Sequence, residues 1–259
     1  MKFGISVLSV AAGSVLFGGL AAAPARADDT VAPDATFTGP ALQDEVFGRK
    51  ALTFTGTATD DTGVASVGVA FQDRVSRQWY RPDGTWGPYH RFNAALSKPG
   101  TVNTGWSYTW TPPSAGAYVI QVVAKDTAGH PDAVLPYRRF DVDTTPPETF
   151  ITSPTASTVQ IRKGRTATIS GTARDDHGVL YVYEAIQNRS TGKWLLPGGT
   201  WGAIYWHRKP VVRPGAPTTD WRIDQAMTTL GTFLIQVRAS DRVGLTDPTP
   251  VSRTYQVIP

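Results

Sequence analysis

Residues 56–142 recur 115 positions further on without a gap. The chain must therefore adopt a fold that one unit can form twice. Gly56 meets Gly171, Trp79 meets Trp194, Trp106 meets Trp221 and Val142 meets Val257. "GTWG" at 84–87 returns at 199–202, and "GAYVIQVVAKDTAG" at 116–129 returns as "GTFLIQVRASDRVG" at 231–244. Upstream, "TGP" at 38–40 matches "TSP" at 152–154 after a slip of one residue, as a loop allows. The joint is "DVDTTPPET" at 141–149, where Pro146-Pro147 cannot continue a helix and favours an extended, semi-rigid link. The expected division is 1–27, 28–143 and 144–259.

Inside each copy the hydrophobic period is two. Leu52, Phe54 and Ala58 fall on one face, with Thr53, Thr55 and Thr57 on the other. Tyr118, Ile120, Val122 and Ala124 alternate with Val119, Gln121 and Val123, and Trp106, Tyr108 and Trp110 with Ser107 and Thr109. Such alternation in β-branched and aromatic residues predicts half-buried antiparallel strands. No stretch after the leader keeps a helical period for three turns, and Gly or Pro punctuates it every ten or so residues. The pattern predicts two all-β sandwiches.

The first 27 residues read as a secretory signal peptide. Lys2 precedes an apolar, small-residue run from Phe3 to Ala23, and Ala25-Arg26-Ala27 has the small-x-small form of a cleavage site. No second apolar run is long enough to span a bilayer. The chain has no cysteine, which excludes disulfides, thiolate metal sites, a cysteine nucleophile and a lipid-modified cysteine. After the leader, residues 28–143 carry 10 basic and 13 acidic side chains, and residues 144–259 carry 13 and 8. Neither half has a dense basic tract, so nucleic acid is not an expected partner. The basic second half would suit an anionic cell wall, or be no more than an ordinary solvated surface.

"GTATDDTGVASV" at 56–67, the tryptophan after it, the Trp-rich strand at 106–110 and "YVIQVVAKDTAG" at 118–129 resemble bacterial immunoglobulin-like repeat modules. The resemblance covers residues 33–259. It implies two tandem immunoglobulin-like β-sandwich domains behind a signal peptide, in a secreted or surface-associated protein. Similar modules accompany polysaccharide-degrading enzymes. The antibody-type cysteine pair is missing, so only the sandwich carries over.

The doublets Asp60-Asp61 and Asp175-Asp176 lie between strands expected at Thr53–Thr59 and Val64–Gln72, and at the equivalent place in the second copy. "DDTG" and "DDHG" suit a type I turn, in which the first Asp bonds the backbone and Gly closes. A turn needs one carboxylate, so Asp61 and Asp176 are left over. Asp126 and Asp241 close the strand before the last hairpin. In an immunoglobulin-like sandwich that loop, the doublet loop and the domain's N-terminal entry share one end. Asp143, Glu148, Asp175, Asp176 and Asp241 are therefore expected to converge at the joint as an oxygen-rich site for Ca²⁺. This is similar to cadherin-like joints. Asp60, Asp61 and Asp126, with Asp28, Asp29 and Asp34 upstream, are a lesser site of the same kind.

"WYRPDGTWG" and "WLLPGGTWG" read as hairpins with Gly84 or Gly199 in the left-handed position. Pairing of Arg81 with Thr85 puts Tyr80 opposite Trp86 and turns Trp79 to the other face. Trp106 and Trp221 are expected in the cores. Trp86, Trp201, Tyr89, Tyr205 and Trp206 either fill gaps in disulfide-free cores or face outward to stack on sugar rings. Glu184 falls at an inward position, where a bulge or an arginine is expected to accommodate it.

Four histidines lack metal-ligand spacing, and neither a nucleophile elbow nor a phosphate-binding glycine loop occurs. Adjacent aspartates in a surface turn do not make the separated carboxylate pair of a glycosidase. The reading is a secreted, non-catalytic spacer or interaction module at the cell surface or in the medium. Its expected partners are an extracellular polysaccharide, the cell wall or a surface protein. The alternatives are a carbohydrate-binding protein, and an inhibitor of an extracellular enzyme acting through a mobile, Pro-rich segment from Lys209 to Asp220.

Overall fold

The computed structural model describes residues 29–40 and 43–259. Residues 1–27, expected to be a signal peptide, and Asp28 lie outside the described residues. Among those residues every regular element is a strand, and no helix is long and apolar enough to cross a membrane.

In the first copy the strands are β1 (Asp34–Gly39), β2 (Glu45–Gly48), β3 (Leu52–Thr59), β4 (Val64–Asp73), β5 (Trp79–Tyr80), β6 (Trp86–Gly87), β7 (Phe92–Asn93), β8 (Ala95–Leu96), β9 (Asn103–Trp110), β10 (Gly116–Asp126) and β11 (Tyr137–Asp143). One sheet runs β1-β3-β9-β8, and the facing one β2-β11-β10-β4-β5-β6. That is the ABED against GFC arrangement of an immunoglobulin-like sandwich. Its first strand is split: β1 pairs antiparallel with β3, and β2 pairs parallel with β11.

In the second copy the strands are β12 (Glu148–Ser153), β13 (Thr158–Arg162), β14 (Thr166–Asn188), β15 (Trp194–Leu195), β16 (Trp201–Gly202), β17 (His207–Lys209), β18 (Ala216–Ala226), β19 (Gly231–Asp241) and β20 (Val251–Ile258). The same pairings recur, including the parallel β13–β20 pair. Two features differ. No strand among the described residues corresponds to β8, and the strands equivalent to β3 and β4 are fused into β14, which pairs with β18 over Thr166–Arg174 and again at Val179, and with β19 from Val179 onward. The chain changes sheets over Asp175–Gly178, where a separate turn is expected from the sequence.

Two apolar cores result. Leu52, Phe54, Ala58, Val67, Val69, Phe71, Tyr118, Ile120, Val122 and Ala124 are buried in the first, as the alternation predicts. Ile169, Val182, Ile186, Phe233, Ile235 and Val237 are buried in the second. Trp106 and Trp221 sit in these cores, and their indole N–H groups donate to Thr36 O and Thr172 O, each at 3.1 Å. Each indole lies against a glycine. A Cβ on Gly56 would fall 2.5 Å from the Trp106 ring, and one on Gly171 would fall 2.7 Å from the Trp221 ring. A Cβ would come closer still to the backbone oxygens of Thr36 and Phe150, so each glycine makes room for both the neighbouring strand and the tryptophan.

Candidate metal centre at the joint

Residues 144–147 link the last strand of the first copy to β12. Asp143 ends β11, Asp241 ends β19 and Asp175 stands where β14 changes sheets. Their exposures are 1%, 2% and 7%. Each carboxylate commits one oxygen to backbone amides. Asp143 Oδ1 accepts from Thr145 N (2.8 Å) and Asp175 Oδ1 from His177 N (2.9 Å). Asp241 Oδ1 accepts from Val243 N, Gly244 N and Leu245 N at 2.7–2.9 Å. In all three residues Oδ2 is buried without a hydrogen bond. One oxygen from each lies within 4.8 Å of one from each of the others.

The spacing suits a cation. Two oxygens each about 2.4 Å from one ion lie at most about 4.8 Å apart, and Ca²⁺ takes carboxylate and carbonyl oxygens at such distances. The electrostatics agree. Burial, reinforced by neighbouring Asp143, pushes the Asp241 carboxyl up to about 6 against the pull of its three amides. Burial, with Asp143 and Asp176 beside it, also raises Asp175. Three inward carboxylates disfavour one another's charge unless a cation joins them. His177 is the basic side chain that meets the group. Its Nδ1 is 3.5 Å from Asp143 Oδ2 and 3.2 Å from Asp176 Oδ1, without hydrogen-bond geometry to either. An open depression bordered by Thr145, Pro146, Glu148, Arg174, Asp175 and Asp176 adjoins the group at Asp175.

Of the five residues expected here, Asp143, Asp175 and Asp241 come together directly. Asp176 joins through Asp143 and His177 and is itself exposed. Glu148 is outside the buried trio: it borders the same depression as Asp175 and Asp176, stands opposite Arg174 across the β12–β14 pair, and its Oε2 accepts from Arg174 Nε at 2.9 Å. The sequence reading missed His177, which replaces Thr62 of the first copy. Asp132 and Asp247 were missed as well; they are 115 residues apart and both buried.

The first copy is built differently. Asp60 Oδ1 accepts from Thr62 N (3.0 Å) and Gly63 N (2.7 Å), so the turn chemistry expected of the doublet is present. Asp61 is exposed. Asp126 gives Oδ1 to Gly129 N and His130 N, and its Oδ2 lies 2.8 Å from His130 Nδ1. Both Asp126 oxygens are engaged, where Asp241 leaves one over.

The aromatic candidates are mostly packed. Trp86 stacks on Tyr118 with centroids 5.7 Å apart and meets Tyr80 edge-on. Trp201 packs on Phe233 at 5.9 Å. Trp206 lies under the Arg238 guanidinium at 4.1 Å. Tyr89 and Tyr205 are exposed, one edge-on to Trp79 and the other to His207. The segment 209–220 is held at several points rather than free. Val211 is buried, Val212 N bonds Asp220 O (2.9 Å) and Arg213 N bonds Thr219 Oγ1 (2.9 Å). Glu184 is 1% exposed and stays inward, but its partner is Lys209 at 3.2 Å, not an arginine.

No protein-family model and no curated protein sequence matches the chain. Solved structures do. Dimeric latent PorU from Porphyromonas gingivalis is 11% identical over 91% of this chain with a TM-score of 0.33, and this chain spans 21% of its length. A tandem immunoglobulin pair of titin is 10% identical, with 88% of this chain and 99% of that one covered and a TM-score of 0.25. The N-terminal two-immunoglobulin module of the Drosophila receptor protein tyrosine phosphatase DLAR is 10% identical, with coverages of 88% and 100% and a TM-score of 0.23. The assignment rests on strand order and register: the chain is a tandem of immunoglobulin-like β-sandwich units.

Proposed function

We propose that the chain is an exported, non-catalytic spacer or interaction module whose joint binds Ca²⁺. The observation that supports the cation is the trio of buried carboxylates Asp143, Asp175 and Asp241: each has an Oδ2 without a hydrogen bond, and one oxygen of each lies within 4.8 Å of one of each of the others. Two strand ends and the crossover within β14 supply them, so a bound ion ties the last strand of the first copy to two strands of the second. Backbone carbonyls and water would complete the six to eight ligands that calcium takes. Export rests on the leader, and the non-catalytic reading on the sequence.

The test is terbium luminescence and calcium calorimetry on residues 28–259, with Asp175→Asn and Asp241→Asn as variants. Saturable binding of one ion, displaced by calcium and weakened at least tenfold in both variants, is the expected result. No binding to the wild type, or binding unchanged in both variants, overturns the metal reading. Pull-downs on insoluble polysaccharides and cell wall, with calcium and with chelator, then separate a polymer partner from a protein one.

A further inference from the structure

The second copy departs from the first along one side of its core. Phe71, Tyr80, Trp110 and Tyr118 of the first copy correspond to Ile186, Leu195, Gln225 and Phe233 of the second. Register is kept, since Leu52 faces Trp110 as Ala167 faces Gln225. In the first copy the Trp110 indole stacks on Phe71 at 4.3 Å and 13°, and meets Tyr80 and Tyr118 edge-on. The second copy replaces each wall of that indole site by a smaller apolar side chain and lacks the indole. Ile186, Leu195 and Phe233 line a cavity of about 290 Å³, together with Trp201, Met227 and the Gln225 that stands in for the tryptophan.

We infer that this cavity is a binding site for a small planar aromatic molecule of one or two rings. The first half of the chain shows what the surroundings hold, because the equivalent space there is filled by an indole. The volume lies near the lower end of ligand pockets, about 300–1,000 Å³, and the pocket is partly open to solvent. Trp201, tilted 31° to Phe233, offers a face for stacking. Gln225, Thr228 and Thr229 add hydrogen-bonding groups to the lining for a ring N–H or hydroxyl. Ile186, Leu195, Met227 and Phe233 favour a flat apolar ring over a sugar, whose ring carries hydroxyls on every side, and the polar part of the lining suits a single ring substituent.

The experiment is titration of residues 28–259 with indole and with p-cresol by calorimetry and ligand-observed NMR, with cyclohexanol and glucose as comparisons. Saturable binding of one indole, with cyclohexanol and glucose weaker, is expected. Gln225→Trp rebuilds the first copy's packing and should weaken indole binding at least tenfold while raising the melting temperature by about 2–4 °C. Should that variant not fold, Ile186→Phe narrows the same cavity and should weaken binding likewise. The inference is overturned if indole does not saturate, if glucose binds as well as indole, or if the folded variant binds indole as the wild type does.

Discussion

Asp132 occupies a loop of the first copy, yet its carboxylate is turned into the sandwich. It is 6% exposed, and its Oδ2 accepts the amide of Ala124 at 2.7 Å. Burial, with a smaller push from Asp34, raises its carboxyl to about 6 against the amides of Ala124 and Ala35. In the unfolded chain the group returns to its ordinary value near 3.8. An acid whose folded value is raised stabilises the fold fully below the unfolded value, and that stabilisation is lost as pH rises through the folded one. Asp132 therefore makes the wild type lose stability between pH 3.8 and about 6. Asp132→Asn carries no such charge. Urea midpoints measured in chelator at pH 4.5 and pH 7 should fall less between the two in the variant than in the wild type. Parallel falls would mean that Asp132 ionises freely in the folded chain. The sequence did not expose this residue, because an aspartate after a proline reads as ordinary turn chemistry until the matching Asp247 is noticed. Asp247 is buried too, and its Oδ2 accepts Thr149 N at 2.8 Å.

Between elements, the clearest difference between the copies is the pairing of β14 with β17. Val69, Phe92 and Ala94 of the first copy become Glu184, His207 and Lys209. Glu184 faces His207 in the ladder, and Lys209 Nζ lies 3.2 Å from its Oε2. Burial raises the Glu184 carboxyl, and the Lys209 and His207 charges only partly oppose this. Its Oε1 is buried without a hydrogen bond. Alternation placed Glu184 inward correctly, but the partner sits on a strand of three residues that no periodicity could announce. Lys209→Ala should cost about 2–3 kcal/mol, below the roughly 3–5 of a fully buried pair because Lys209 is one-third exposed (32%). Adding Glu184→Val restores the first copy's Val–Ala pair and should return stability to within about 1 kcal/mol of wild type. Denaturant unfolding of the single and double variants decides this. A single variant as stable as the wild type would mean that Glu184 is already neutral or hydrated.

At the scale of the whole molecule, the repeat made the architecture legible. One unit written twice, with a period of two in each copy, led to strands, cores and the placing of Trp106 and Trp221. The site was legible only in part. Asp143, Asp175 and Asp241 follow from which strand ends share one end of a sandwich. Glu148 is taken up by Arg174 across the β12–β14 pair, a contact invisible along the chain. The aromatic cavity was hidden because a repeat is read for its likenesses, and the cavity lies in the differences. Those differences also predict how the molecule unfolds. The first core joins Phe54, Phe71, Trp110, Tyr118 and Phe140 through ring contacts, whereas the second replaces Phe54, Phe71 and Trp110 by Ile169, Ile186 and Gln225. Aromatic pairs add about 0.5–1.5 kcal/mol each beyond area burial, so the second sandwich should be the weaker one in chelator. The calcium proposed at the joint would bind folded ligands only, and two of them, Asp175 and Asp241, belong to that weaker unit. At a hundredfold excess over Kd it should add about 2.7 kcal/mol. Scanning calorimetry in chelator should show a lower transition that Gln225→Trp raises. Calcium should move that transition upward in the wild type and leave it in place in Asp241→Asn. A transition that calcium shifts equally in both proteins would place the ion elsewhere, and one that Gln225→Trp leaves untouched would mean that the first sandwich melts first.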